Sequence, residues 1–234
     1  MANDSTTGNN DNERSKEFGD SAFMIPGVDG VRQFGFPNKI ITKLRYGFNQ
    51  SSGVLTNDTI QDYVFRMNSI FDPDFTGTGH QPLWHDTYST IYETYRVLGA
   101  KLTITFAPSV YSYSGAFGPY VIGVTGNRVS TSALGYSNVQ QLMESADTTF
   151  DVIGLDSART ITLDYSPSSK LGTSATEDTV GASVGANPPN AYYGHVWVTQ
   201  VNGAAAPATT GEVNLTGYID FTVEFFNLLN PSVS

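Results

Sequence analysis

The feature that most constrains this chain is a period-two alternation of apolar and polar side chains, because only an extended strand turns successive side chains to opposite faces. It is clearest near the C-terminus. Val213, Leu215, Ile219, Phe221, Val223 and Phe225 share one parity, while Asn214, Thr216, Asp220, Thr222 and Glu224 take the other. The segment from Lys39 to Phe48 sets Ile40, Leu44, Tyr46 and Phe48 against Lys39, Lys43 and Arg45. Tyr63, Phe65 and Met67 alternate with Asp62, Arg66 and Asn68, and Leu98, Leu102, Ile104 and Phe106 with Lys101, Thr103 and Thr105. Four more extended segments are expected at 119–125, 148–153, 158–165 and 191–201, the second carrying the weakest signal. Eight strands, each with one buried face and separated by Gly, Pro and Asn clusters, predict an all-β sandwich of two packed antiparallel sheets.

Two short loop helices interrupt this pattern. In WHDTYSTIYETYRV, Tyr88, Ile91, Tyr92 and Tyr95 recur at helical spacing behind Asp86 as an expected N-cap. In SNVQQLMES, Ser137 and Gln140 form a candidate capping box. Residues 166–190 are rich in small residues and lack periodicity, which predicts a long functional or interface-forming loop. Residues 1–22 are polar and carry too little apolar surface to offset ordering entropy, so they read as a flexible acidic arm before one domain spanning residues 23–234. No internal repeat divides that domain.

Charge narrows the functional classes. Charged residues make up 15% of the chain, against roughly 25% in an average soluble protein, so much of the surface is polar without being charged. Such a surface costs less to desolvate and suits extensive protein contact, although an ordinary loop-rich β protein shares the composition. The net charge of −10 is uneven: residues 1–30 sum to −4, 31–57 to +4, 58–128 to −2 and 129–234 to −8. The cationic stretch lies where the domain begins. With no cysteine, disulfides, thiolate metal sites and cysteine nucleophiles are excluded. The chain has no G-x-S-x-G, H-E-x-x-H or P-loop motif, so no catalytic function is expected and no cofactor is called for. No apolar run approaches the length of a membrane span, and the first residues lack the regions of a signal peptide, which predicts a soluble protein made in the cytosol.

The stretch FRMNSIFDPDFTGTGHQPLWHDTYSTIYETYRVLGAKLTITF, from Phe65 to Phe106, resembles the capsid proteins of circular Rep-encoding single-stranded DNA (CRESS-DNA) viruses. RTITLDYSPSSKLG at 159–172, NPPNAYYGHVWV at 187–198 and TGYIDFTVEFFNLLNP at 216–231 follow in the same order, so the resemblance covers most of the chain from about residue 35 onward. It implies a single eight-stranded antiparallel jelly roll that assembles with its own copies into a small icosahedral shell around circular single-stranded DNA. The location implied is the virion, with synthesis in the host cytosol and the nucleus as a further possible place of assembly. One departure stands out: the resemblance implies an arginine-rich inner arm, whereas residues 1–30 here are net acidic.

Candidate site residues follow from this pattern. Lys39, Lys43 and Arg45 share one expected strand face, with Arg66 on the polar face of the following segment and Arg32 just upstream; these bases suit either weak contact with the phosphates of single-stranded DNA or a solvated face and ion pairs between subunits. Tyr88, Tyr92, Tyr95, Tyr111 and Tyr113 cluster near expected loops and fit either subunit contacts or lids over the core. Asp72, Asp74, His80 and His85 invite a metal reading, but their spacing lacks the ligand order of a calcium loop. Asp-Pro and Gly-rich sequences of this kind build turns, and loop-locking hydrogen bonds are the expectation. His195, alternating with Tyr193 and Trp197, is expected to pack. The competing function is a carbohydrate-binding jelly-roll module using exposed aromatics. No membrane partner is expected, and no host receptor is legible.

Overall fold

The computed structural model describes residues 36–52, 60–109, 119–130, 138–154, 157–200 and 212–229. Nine strands are present among them: β1 Lys39–Ser51, β2 Gln61–Arg66, β3 Tyr92–Ser109, β4 Tyr120–Asn127, β5 Thr148–Ile153, β6 Arg159–Tyr165, β7 Gly181–Ser183, β8 Tyr193–Gln200 and β9 Glu212–Leu228. One sheet has the order β1-β9-β3-β6, with β7 pairing β3 off that path, and the other has the order β2-β8-β4-β5. Every pairing is antiparallel. Consecutive strands alternate between the two sheets except at β4–β5 and β6–β7, and the last strand inserts between the first and third. This is jelly-roll topology, read from the strand order itself. All eight expected strands are present; β7 is a ninth, three residues long.

Alternation explains the core. Val213, Leu215, Ile219, Phe221, Val223 and Phe225 of β9 face Leu44 and Tyr46 of β1 and Leu102, Ile104 and Phe106 of β3 in one cluster, closed from the opposite sheet by Ile122, Val124, Val196 and Val198. Each buried side chain of this size contributes on the order of 1.5–3 kcal/mol. A second, smaller cluster lies on the outer side of the β2-β8-β4-β5 sheet, where Leu142 packs on Val121 and Trp197.

The helices depart from expectation. Helix α1 covers only His85–Ser89, and its N-cap is Trp84, not Asp86, which lies in the first turn. Tyr92 and Tyr95 belong to β3. The physical reason is a bulge: Val97 pairs Val223 and Gly99 pairs Thr222, leaving Leu98 unpaired. Buried positions therefore change parity along β3, from Tyr95 and Val97 to Ala100, Leu102 and Ile104. A parity switch breaks strict alternation and imitates helical spacing. Helix α2 spans Val139–Glu144, capped by Asn138, whose side chain accepts from the Gln141 N–H at 3.0 Å; Ser137 lies outside the described residues. The expected loop at 166–190 instead contains helix α3, Pro167–Lys170, a 3-10 turn at Asp178–Val180, and β7. No helix among the described residues is long and apolar enough to cross a membrane.

Candidate nucleic-acid and assembly surfaces

The outer face of the β1-β9-β3-β6 sheet carries the expected cationic patch, and strand register decides what the patch can do. Arg45 pairs across to Asp220, Asp220 to Lys101, and Lys101 to Asp164. A row of alternating charge therefore crosses all four strands. Arg45 grips Asp220 with two hydrogen bonds, Nε to Oδ1 at 2.5 Å and Nη2 to Oδ2 at 2.8 Å, and lies over the Tyr218 ring at 4.0 Å. The bond to Asp220 raises its pKa above an already high ordinary value, so the group stays charged. Lys101 approaches Asp164 at 4.0 Å.

Toward the start of β1, Glu224 is almost fully buried between two bases. Arg96 Nε donates to its carboxylate, Lys39 lies 3.9 Å away, and the Arg96 guanidinium sits over Phe226 at 4.8 Å. Lys43 stands opposite Thr222 and is exposed. Beyond the charged row the face turns to hydroxyls: Asn49, Thr216, Thr105 and Thr160 are in register, with Thr216 donating to Asn49 at 2.9 Å and Thr105 bonded to Thr160 at 2.8 Å. The face thus keeps much of its positive charge engaged with its own carboxylates. Sequence alone groups the bases correctly on one parity of β1; it misses the acids from β9 and β6, which only register brings opposite.

Arg66 does not belong to this face. It lies on β2 in the other sheet, with its guanidinium turned into the β2–β3 loop, where Nη1 donates to the Asp72 carbonyl at 2.9 Å, the Asp72 carboxylate at 2.7 Å and the Asp74 carbonyl at 3.1 Å. It also packs over Phe75 at 4.9 Å. Asp74 accepts from the Thr76 N–H and hydroxyl, and Gln81 Nε2 donates to the Phe71 carbonyl at 2.9 Å. His80 stacks on Tyr46 at 4.6 Å. The FDPDFTGTGHQP loop is held by these bonds, and no group of three or more potential metal ligands occurs among the described residues. Burial, then the charges of Asp74 and Asp72, push the Tyr46 hydroxyl up to about 12.

The tyrosines sort by burial. Tyr92 and Tyr95 are core residues: Tyr92 donates to the Pro37 carbonyl, and Tyr95 bonds to Ser69 and the Ala186 carbonyl. Their position inside the sandwich corrects the reading of both as surface contacts. Tyr88 is half-buried and stacked on Phe225 at 4.8 Å. Arg32, Tyr111 and Tyr113 lie outside the described residues.

Two buried polar connections escape sequence reading. Asn68 donates to the Asn190 carbonyl at 2.8 Å and accepts from the Tyr192 N–H at 3.0 Å, and Ser69 donates to Asn187 at 2.6 Å. They tie the β2–β3 loop to the segment before β8. Their only sequence signal is a polar pair between two apolar residues, Met67 and Ile70, which are fully buried. His195 is fully buried and does more than pack: Nδ1 meets Asp62 at 2.9 Å and Nε2 meets the Val129 carbonyl at 2.7 Å. A carbonyl only accepts, so Nε2 carries a proton.

No family model matches the chain, and no curated protein matches it. Solved structures do. A chain of desmodium yellow mottle tymovirus is 14% identical with a TM-score of 0.37, covering 87% of this chain and 96% of its own. A chain of tobacco necrosis virus is 14% identical with a TM-score of 0.43, at 87% and 90% coverage. A chain from a semi-empty virus-like particle of the giant freshwater prawn Macrobrachium rosenbergii nodavirus is 13% identical with a TM-score of 0.40, at 83% and 97% coverage. None of the three is named as a circular single-stranded DNA virus.

Proposed function

We propose that this chain is the coat subunit of a small icosahedral shell enclosing a circular single-stranded DNA genome, and that it is not an enzyme. The observation that carries this reading is the ordered sequence resemblance from Phe65 onward, in a chain whose strands have the jelly-roll order that the resemblance implies. The described surfaces agree with such a role. The long loops are internally locked by Arg66, Asn68 and Ser69, which presents pre-ordered surfaces to neighbouring copies and lowers the entropy lost on assembly. Residence in the virion follows from the same reading, with synthesis in the host cytosol.

Genome contact is weak in this proposal. Arg45, Lys101, Arg96 and Lys39 all have carboxylates within 4.0 Å, and residues 1–30 are net acidic. Few cations remain to release counterions from phosphates, so DNA binding is expected to be lost at moderate salt. Electron microscopy of the purified full chain is the direct test. Closed particles of uniform size are expected; a stable monomer across salt and protein concentration overturns the proposal. Binding of the monomer to a glycan array would point instead to the carbohydrate-binding alternative.

A further inference from the structure

The turn at Pro82–His85 has a backbone at odds with its residues. The His85 N–H donates to the Pro82 carbonyl at 3.1 Å, and Trp84, third in the turn, has φ 76° and ψ −9°. These are the angles of the third residue of a type II turn, a position that favours glycine because a Cβ there crowds the backbone. A tryptophan holds it instead. Neither Trp84, 67% exposed, nor Leu83, 77% exposed, packs into the core. Strain in a bulky residue persists where it serves a purpose, and here its visible result is a pair of large apolar side chains at a turn tip.

Other exposed apolar residues stand at the same end of the sandwich. The Tyr88 N–H donates to the Trp84 carbonyl, the Ile91 N–H to the Tyr88 carbonyl, and the Leu229 N–H to the Ile91 carbonyl, at 3.0, 3.0 and 2.9 Å. Turn, helix α1 and the end of β9 are therefore one hydrogen-bonded run, and it ends on Leu229, 39% exposed. Beside it, the Tyr92 hydroxyl holds the Pro37 carbonyl at 2.9 Å, which places the neighbouring Phe36, 58% exposed, at the same strand end.

Phe36 is also where the described chain begins. The residues leading into it, FMIPGVDGVRQFG at 23–35, contain Phe23, Met24, Ile25, Val28, Val31 and Phe34, with one acid, Asp29, and one base, Arg32. This segment is neutral and apolar, unlike the acidic residues 1–22 before it. Thirteen extended residues reach up to about 43 Å, ample to return from Phe36 across this end of the domain.

We propose that the apolar segment Phe23–Phe34 docks on the surface formed by Phe36, Leu83, Trp84 and Leu229 of its own copy. Attachment at Phe36 gives the segment a high effective concentration over this surface, which favours it over a second copy at low protein concentration. Both partners are apolar and the segment bears no net charge, so docking removes apolar area from water without burying an unpaired ion. The proposal is independent of the capsid reading.

The chain has two tryptophans, and Trp197 is fully buried. The difference between the emission of wild-type protein and of W84F therefore reports Trp84 alone. In dilute full-length protein, Trp84 is expected to emit as a shielded indole and to be quenched by acrylamide several-fold less than free tryptophan. The F23S/M24S/I25S variant is expected to restore full quenching. A Trp84 that is fully quenched in the wild type, or shielded equally in the triple variant, overturns the proposal. The absence of native cysteine permits a second test that leaves the apolar segment largely intact: M24C/L83C should form an intrachain disulfide on mild oxidation of the monomer. An interchain disulfide would assign the surface to a second copy, and no disulfide would separate the two elements; either result refutes docking within one chain.

Discussion

Arg66 shows how one side chain can stabilise a long loop. Its guanidinium is largely withdrawn from solvent, and its three acceptors all lie between Asp72 and Asp74. Replacing it with alanine leaves the Asp72 carboxylate half-buried without its cation and removes the cover over Phe75, so Arg66→Ala is expected to lower stability by about 2 kcal/mol. Thermal unfolding should show a midpoint several degrees lower, and Arg66→Lys should recover only part of the loss because an ammonium cannot reproduce the guanidinium fork. Buried tyrosines make a separate prediction. Burial pushes the hydroxyls of Tyr46 and Tyr95 up to about 12, above the ordinary value of about 10. Between these values the folded state binds more protons than the unfolded state, so stability falls as pH rises from about 10 toward 12. Ultraviolet titration should show these groups ionising together with unfolding; reversible ionisation in the folded protein at pH 10 would contradict their burial.

At the scale of elements, close approach of strands and charge register matter most. Gly217 of β9 lies between β1 and β3, and a Cβ there would stand 2.5 Å from the Thr103 carbonyl and 2.9 Å from Phe48 Cζ. Backbone cannot yield as a flexible side-chain tip does, so Gly217→Ala should cost about 1–3 kcal/mol, measurable by denaturant unfolding. On the outer face of the same sheet, Asp220 and Glu224 engage Arg45, Arg96 and Lys39. Removing one carboxylate charge frees the guanidinium for phosphate, and Asp220→Asn should steepen the salt dependence of single-stranded DNA binding by up to about 0.7 in log–log slope per phosphate gained. Filter binding across a salt series would measure the change. An unchanged slope would place the genome elsewhere than on this face. The bulge at Leu98 carries the lesson about secondary structure: strict alternation makes β9 legible without a structure, but one unpaired residue gives the start of β3 an apparent helical period.

At the scale of the molecule, two sheets enclose one main core, and a second cluster under α2 covers part of the β2-β8-β4-β5 sheet. That sheet ends at β5, where Phe150 and Val152 are 42% and 46% exposed; Leu83, Trp84, Phe36 and Leu229 are likewise exposed. The two-sheet sandwich, the parity of nearly every core residue, the grouping of Lys39, Lys43 and Arg45 on one strand face, and the turn-building character of the FDPDFTGTGHQP loop are all legible in the amino-acid order. These are consequences of local periodicity and local backbone preference, which act over a few residues and can be read in order. The folded arrangement is what brings Arg45 to Asp220, 175 residues later, sets Arg66 to lock the loop beside β2, puts Tyr92 and Tyr95 in the core, and lets Asn68 join two distant segments. Each depends on which strands become neighbours and in which register. A non-local pairing leaves no trace in the composition or period of either partner.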